Sequence, residues 1–345
     1  MTGAETVRAA VLTGVGSVEV QERPRPVPRP DEVLVEVLSV GVCGSDTHYY
    51  EHGRIGSFVV EDQLVLGHEA SGRIVQVGAD VDPARVGERV SIEPGVPCRT
   101  CEQCLAGRYN LCPRMVFHAT PPVDGSLVEI VSHHHAFVHP VPDGVDDDAA
   151  ALAEPLSVGI WACRKGGVRL GSRVLVTGAG PVGILSAYAA RAAGAAWVAV
   201  ADVNPHRLAV VERMGFVALD VSAAPLDEAL GGAREPEVLL ECSGHEGSTV
   251  AGLHALARAG RAVLVGMGSD EMPLPVAALQ ERELVLTGVF RYANTWPTAL
   301  GLLAHDDGSL AALVTGHFDL EHTADALTAA GRDPRAMKSM IHPGR

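Results

Sequence analysis

Four thiols crowd into one short stretch of this chain, at Cys98, Cys101, Cys104 and Cys112. Cysteines spaced this tightly can wrap a single Zn²⁺ tetrahedrally, with all four positions filled by sulfur and none left for chemistry. An iron–sulfur cluster or disulfides are the other uses of such a set. A closed zinc site would order a lobe that has no apolar core of its own. A second set of ligand-type residues lies upstream. Cys43-Gly44-Ser45-Asp46 stands at a strand end, and Gly67-His68-Glu69 follows. Thiolate, imidazole and carboxylate all bind Zn²⁺, and a catalytic site uses three protein ligands with one position open. His133, His134 and His135 sit in a predicted strand with alternating side chains and read as ordinary strand residues.

A third group of residues suits a dinucleotide. Gly178-Ala179-Gly180-Pro181-Val182-Gly183 follows a predicted strand and opens a predicted helix. The first glycine permits the tight turn, the second lets backbone approach a pyrophosphate, and the third allows close helix–strand packing. The helix start offers free N–H groups and a favourable dipole to phosphate. Asp202 closes the next strand, where its carboxylate can accept from an adenosine ribose and repel a 2′-phosphate, favouring NAD over NADP. Arg207 is placed to stack on adenine or to meet a 2′-phosphate. Cys163 and Cys242 read as buried thiols.

These groups need two kinds of scaffold. The first part of the chain is rich in Gly and Pro, with short β-branched runs such as 33–40 and 72–77, the pattern of an irregular, mostly β domain. From about residue 173 strands and helices alternate: strands at 173–177, 197–202, 238–242 and 262–265, helices at 181–193, 205–214 and 247–259. That alternation predicts a doubly wound parallel sheet, hence an α/β fold. The last fifty or so residues read as two helix-like stretches and little else, returning to the first domain. The expected boundaries are 1–155 (with the cysteine lobe at 95–113), 156–289 and 290–345.

The chain has 345 residues, 47% hydrophobic and 20% charged, with a formal net charge of −15. The balance is that of a globular protein, and the negative charge disfavours nucleic acid or an anionic membrane as partner. The amino terminus shows no leader pattern, and clustered thiols suit metal in a reducing compartment, so a cytoplasmic location is expected. Only two lysines occur, Lys165 and Lys338, a scarcity read as compositional bias without functional weight.

The pattern Gly67-His68-Glu69-x-x-Gly72-x5-Gly78-x-x-Val81 resembles the signature of zinc-containing medium-chain alcohol dehydrogenases, and the resemblance runs along essentially the whole chain. Within that family the segments 43–56, 153–159 and 289–296 are similar to sorbitol dehydrogenases, the polyol branch. The resemblance implies a GroES-like catalytic domain joined to a Rossmann domain, NAD, and two zinc ions per chain, one catalytic and one structural. Where other family members carry a third cysteine ligand this chain has Glu154, so the third protein ligand must be a carboxylate. The resemblance places Cys43, His68 and Glu69 on the catalytic metal, with Glu154 at the metal's water or substrate. Unlike the animal enzymes, this chain keeps the full cysteine lobe.

Ser45 would relay the departing proton, with His48 as a continuation of that path. Tyr49, Phe117, Thr120, Arg291 and Tyr292 would contact substrate, and Val182, Val265, Gly266, Met267, Val289, Phe290 and Arg291 would line the cofactor. The implied reaction passes hydride from a secondary alcohol of a polyol of sorbitol, xylitol or iditol type to NAD, giving a ketose. An aminocyclitol or inositol-type dehydrogenase is the alternative, and a non-catalytic dinucleotide-binding protein a third reading. The intact set Cys43, His68, Glu69 and Glu154 argues against the last. The family implies a homotetramer.

Overall fold

A computed structural model describes residues 5–232 and 235–344. The chain divides into two compact units: one runs to Glu154 and resumes at Trp296, the other is Pro155–Thr295.

The core of the first unit is a seven-stranded sheet. Its central strand Glu32–Gly41 pairs antiparallel with Glu69–Val77, with Ile130–His134 and with Lys338–Ile341. This strand is buried almost continuously instead of alternating, the pattern of a strand covered on both faces. Val33, Val35, Val37, Ile74, Val90 and Ile92 pack in its core, each contributing roughly 1.5–3 kcal/mol by leaving water.

The register matters for function. Gly41 is opposite Glu69 on one side and Met340 on the other. A Cβ at Gly41 would overlap both the Glu69 carboxylate and the Lys338 side chain, so the absent side chain is what lets those two groups meet.

The second unit carries a six-stranded, all-parallel sheet in the spatial order Val217–Asp220, Trp197–Asp202, Arg173–Thr177, Val238–Glu241, Arg261–Leu264, Val285–Gly288. This is the doubly wound dinucleotide-binding arrangement, whose order reverses beside Arg173–Thr177 and makes a crevice at the strands' carboxyl ends. The central strands are buried on both faces.

One expectation is corrected. The last part of the chain holds helices Trp296–Ala304 and Thr323–Arg332, but also the strands Val314–Phe318 and Lys338–Ile341, which extend the first unit's sheet. These short strands owe their state to neighbours more than to local pattern. Lys338–Ile341 is buried throughout, which a charged first residue does not announce.

Candidate active site and metal centres

The strand ending at Gly41 delivers Cys43 as the residue preceding helix Gly44–His52. Strand Glu69–Val77 begins at the motif glutamate, with His68 just ahead of it. The ligand-type atoms of Cys43, His68 and Glu69 lie within 4.8 Å of one another. Glu69 and His68 are buried, and Glu69 Oε1 has no hydrogen-bond partner among the described residues. A buried carboxylate oxygen left unpartnered costs free energy unless a cation meets it, so the donor set fits Zn²⁺. Glu154, at the start of helix Ala153–Gly166, is buried and stands outside that group of three.

Two residues with no assigned role complete the site. Asp46 is buried, its Oδ1 lies 3.6 Å from His68 Nδ1, and it accepts from the Cys43 N–H at 3.0 Å and the Gly67 N–H at 2.9 Å. One carboxylate thus fixes both ligand segments and orients the imidazole, as outer partners of metal-binding histidines do. The scarce Lys338, set aside as compositional bias, is buried against Glu69 and donates to the Val42 carbonyl at 2.8 Å. Burial pushes its pKa down, but Glu69, Cys43 and Glu154 outweigh that and raise it, so the ammonium is charged. It neutralises part of the negative charge gathered here.

The other anticipated residues of this unit fall as follows. Ser45 is half-buried on helix Gly44–His52, while His48 is exposed with its ring 5.6 Å from that of His52. Tyr49 packs in the hydrophobic core of the unit. Phe117 is buried with its ring 5.9 Å from that of His68, and Thr120 is half-buried.

Cys98, Cys101, Cys104 and Cys112 also gather within 4.8 Å, and all seven cysteines are free. The Cys101–Cys104 and Cys98–Cys104 sulfurs are 3.4 and 3.9 Å apart. A tetrahedron of Zn–S bonds has edges of about 3.8 Å, so the lobe fits a structural zinc. Hydrogen bonds from Thr100 pull the Cys98 thiol down to about 5, and Arg114 donates to its sulfur at 3.1 Å.

The three histidines do not form a metal group among the described residues. His133 is buried, with Nε2 2.8 Å from the Glu93 carbonyl and Nδ1 3.1 Å from His118 Nε2. Burial lowers its pKa to about 4. Between about pH 6.5 and 4 the unfolded chain holds a proton on this ring that the folded chain does not, so stability falls as pH drops through that window. The ring's contribution at pH 5 is on the order of 2 kcal/mol of lost stability relative to pH 7.5. Urea unfolding at the two pH values should show the loss, and His133→Gln should flatten it; an equal slope in both proteins would refute the assignment.

In the second unit, Gly178 adopts φ 89°, and a Cβ on Gly183 would overlap the Gly178 carbonyl. A crevice of about 490 Å³ opens at the strand ends, lined by Gly178, Asp202, Val203, Ser243 and His245 among others. Asp202 first serves the fold, accepting from the Ala179 N–H at 2.6 Å and the Asn204 N–H at 2.8 Å, with lone pairs left for a ribose. Arg207 Nε is buried without a hydrogen-bond partner among the described residues. Cys163 and Cys242 are thiols whose pKa burial pushes up, Cys163 to about 12. Val182, Val265, Gly266 and Val289 are half-buried; Met267 and Phe290 are exposed.

After the last strand, Arg291 (φ 55°) and Asn294 (φ 57°) hold left-handed backbone that non-glycine residues avoid. Tyr292 between them is buried, and the Arg291 guanidinium lies 4.8 Å from the centre of the Phe290 ring.

An open Cys/His/Glu metal centre, a closed Cys₄ lobe and a dinucleotide crevice define a zinc-dependent, nicotinamide-linked dehydrogenase. The family description of the alcohol dehydrogenase GroES-like domain matches residues 29–143, and that of the zinc-binding dehydrogenase matches 181–305. Among curated proteins, the sorbitol dehydrogenase of Macaca fascicularis is 47% identical over 322 residues, covering 92% of this chain and 90% of that protein. The sorbitol dehydrogenase of Homo sapiens is 46% identical with the same coverage. Among solved structures, L-idonate 5-dehydrogenase from Escherichia coli K-12 superposes with a TM-score of 0.91 at 31% identity, covering 98% of this chain and 99% of that one. The chain belongs to the zinc-containing medium-chain dehydrogenases, in their polyol branch. No helix among the described residues is long and apolar enough to cross a membrane.

Proposed function

We propose that this chain oxidises a secondary hydroxyl of an open-chain polyol of sorbitol, xylitol or iditol type to a ketose, with NAD as acceptor. The observation that carries the reading is the open centre of Cys43, His68 and Glu69 in a chain 47% identical to a sorbitol dehydrogenase. Zinc supplies a Lewis acid that favours the ionised alcohol, and NAD supplies the hydride acceptor. The protein's part is to hold, orient and deprotonate. Cys43, His68 and Glu69 hold the metal, Asp46 and Lys338 fix that set, and Glu154 takes the water or substrate position. Ser45 passes the hydroxyl proton outward. Cys98, Cys101, Cys104 and Cys112 hold the structural zinc. A homotetramer follows the family, and reduced, metal-ready thiols suit the cytoplasm.

The testing experiment follows NADH formation with sorbitol, xylitol, arabinitol, mannitol, inositol and simple secondary alcohols. An open-chain polyol should give the highest kcat/KM; preference for inositol or for an alcohol with one hydroxyl would overturn the reading.

Selectivity among alcohols must come from groups that grip the other hydroxyls. Arg291 has a fixed fork of donors, and Tyr292 adds a phenol. Arg291→Ala should lower kcat/KM for the best polyol about 100-fold, or roughly 2.7 kcal/mol, while sparing 2-butanol. Equal losses on both substrates would assign Arg291 to the fold or the cofactor.

Asp202→Ala should raise KM for NAD and improve the NADP-to-NAD ratio of kcat/KM by about tenfold, since it removes an acceptor and a repulsive charge. A wild-type preference for NADP would refute that role.

A further inference from the structure

A third set of ligand-type groups, sharing no residue with either zinc centre, lies in the first unit. Asp148 belongs to helix Asp147–Ala151, His317 to strand Val314–Phe318, and His342 follows strand Lys338–Ile341. Their ligand-type atoms lie within 4.8 Å of one another. His317 Nδ1 is 3.2 Å from His342 Nε2 and 3.3 Å from Asp148 Oδ2, and His342 Nε2 is 3.6 Å from Asp148 Oδ1.

Hydrogen bonds on the far side aim these atoms inward. His342 Nδ1 is 2.9 Å from the Leu38 carbonyl, which can only accept, so the proton of the neutral ring sits on Nδ1 and Nε2 presents a lone pair. Ser39 donates to Asp148 Oδ1 at 2.6 Å, which leaves Oδ2 turned toward His317. An imidazole whose other nitrogen donates to a backbone carbonyl is the usual preparation of a metal-binding histidine. The spacing agrees: Zn–N and Zn–O bonds of 2.0–2.1 Å give a tetrahedron with edges of about 3.3–3.4 Å.

Within the trio one ring hydrogen has to serve two acceptors. His317 Nδ1 carries at most one hydrogen, yet faces both the His342 lone pair and the Asp148 carboxylate. One cation would satisfy all three acceptors. The His317 side chain is 53% exposed while His342 is buried, so a cation has a route in and a fourth position facing solvent.

We propose that Asp148, His317 and His342 form an additional divalent-metal site, selective for Zn²⁺ and similar borderline ions over Mg²⁺ or Ca²⁺ because two of its donors are imidazoles. Its ligands come from a helix, a strand and the segment after the last strand, so loading pins the carboxy-terminal strand to the sheet. The effect is on stability, without a part in the chemistry.

The test uses full-length protein whose two zinc ions have been verified by elemental analysis. Zn²⁺ alone is titrated by calorimetry, and melting is followed with and without it. Wild type should bind one further equivalent and melt higher, with kcat unchanged. His317→Ala and Asp148→Asn should each lose both responses while keeping two zinc ions and wild-type kcat. His317 is half exposed, so its removal leaves the core intact. Absence of the further equivalent in wild type, or its persistence in both variants, would overturn the proposal.

Discussion

Cys43→Ala should yield a folded protein with one zinc ion fewer per chain and a kcat at least about 1,000-fold below wild type. Cys43 stands at the junction of strand Glu32–Gly41 and helix Gly44–His52 and is not part of the hydrophobic core. The change therefore removes no core contact, and the Asp46 bond to the Cys43 backbone N–H survives it. The metal set, in contrast, falls from three protein groups to two. Lewis-acid stabilisation of developing charge amounts to several kcal/mol, and each 1.36 kcal/mol is tenfold in rate. Zinc content, circular dichroism and steady-state kinetics together decide the matter. Full zinc occupancy with near-normal kcat would remove Cys43 from the catalytic centre.

Cys104→Ser should have the opposite profile, a loss of order with the catalytic zinc retained. The lobe around Cys98–Cys112 contains only the four-residue helix Glu102–Leu105 and a short 3₁₀ turn, and its leucines Leu105 and Leu111 are exposed. With no apolar core, its order depends on the metal. Structural zinc in small peptides contributes roughly 10–16 kcal/mol, more than local packing here can replace. The exposed Arg99, Arg108 and Arg114 should then become trypsin sites. Rapid cleavage in the variant, set against resistance in wild type, is the expected reading. Equal resistance with one zinc ion missing would show that the lobe is held by other contacts, such as the 2.6 Å bond from Tyr109 to Glu93.

The features legible in the sequence are those whose partners are near in sequence. Gly178, Gly180 and Gly183 serve one turn, and the thiols of the lobe lie within fifteen or so residues, so spacing alone carries their geometry. Cys43 and His68 were legible through a motif that names residue types in order. Lys338 was not: its partner Glu69 lies on the other side of the sheet's central strand, and only the pairing of Gly41 with both neighbours brings them together. Asp46 was within the quoted motif, but nothing local reveals that it reaches Gly67. His48 and Tyr49 lie on one short helix, the first exposed and the second packed in the core, a difference that their neighbouring places in the sequence do not announce. Asp148, His317 and His342 are invisible as a set, because three separate elements must close before they meet.

The pairing of Gly41 with Met340 also sets the order in which the molecule can be made. A ribosome delivers Cys43, His68 and Glu69 long before the strand that bears Lys338 emerges, and the Pro155–Thr295 unit intervenes. Those middle residues form a sheet entirely from their own segment, so their contacts are available during synthesis. The sheet around Glu32–Gly41 meanwhile has an open edge, of the kind that invites pairing with other chains. Loop closure over so many residues adds only modestly to the entropic cost, which grows with the logarithm of loop length. The cost falls on timing: until the strand bearing Lys338 is made, the Glu69 carboxylate has no ammonium partner and that side of Glu32–Gly41 is an unpaired edge.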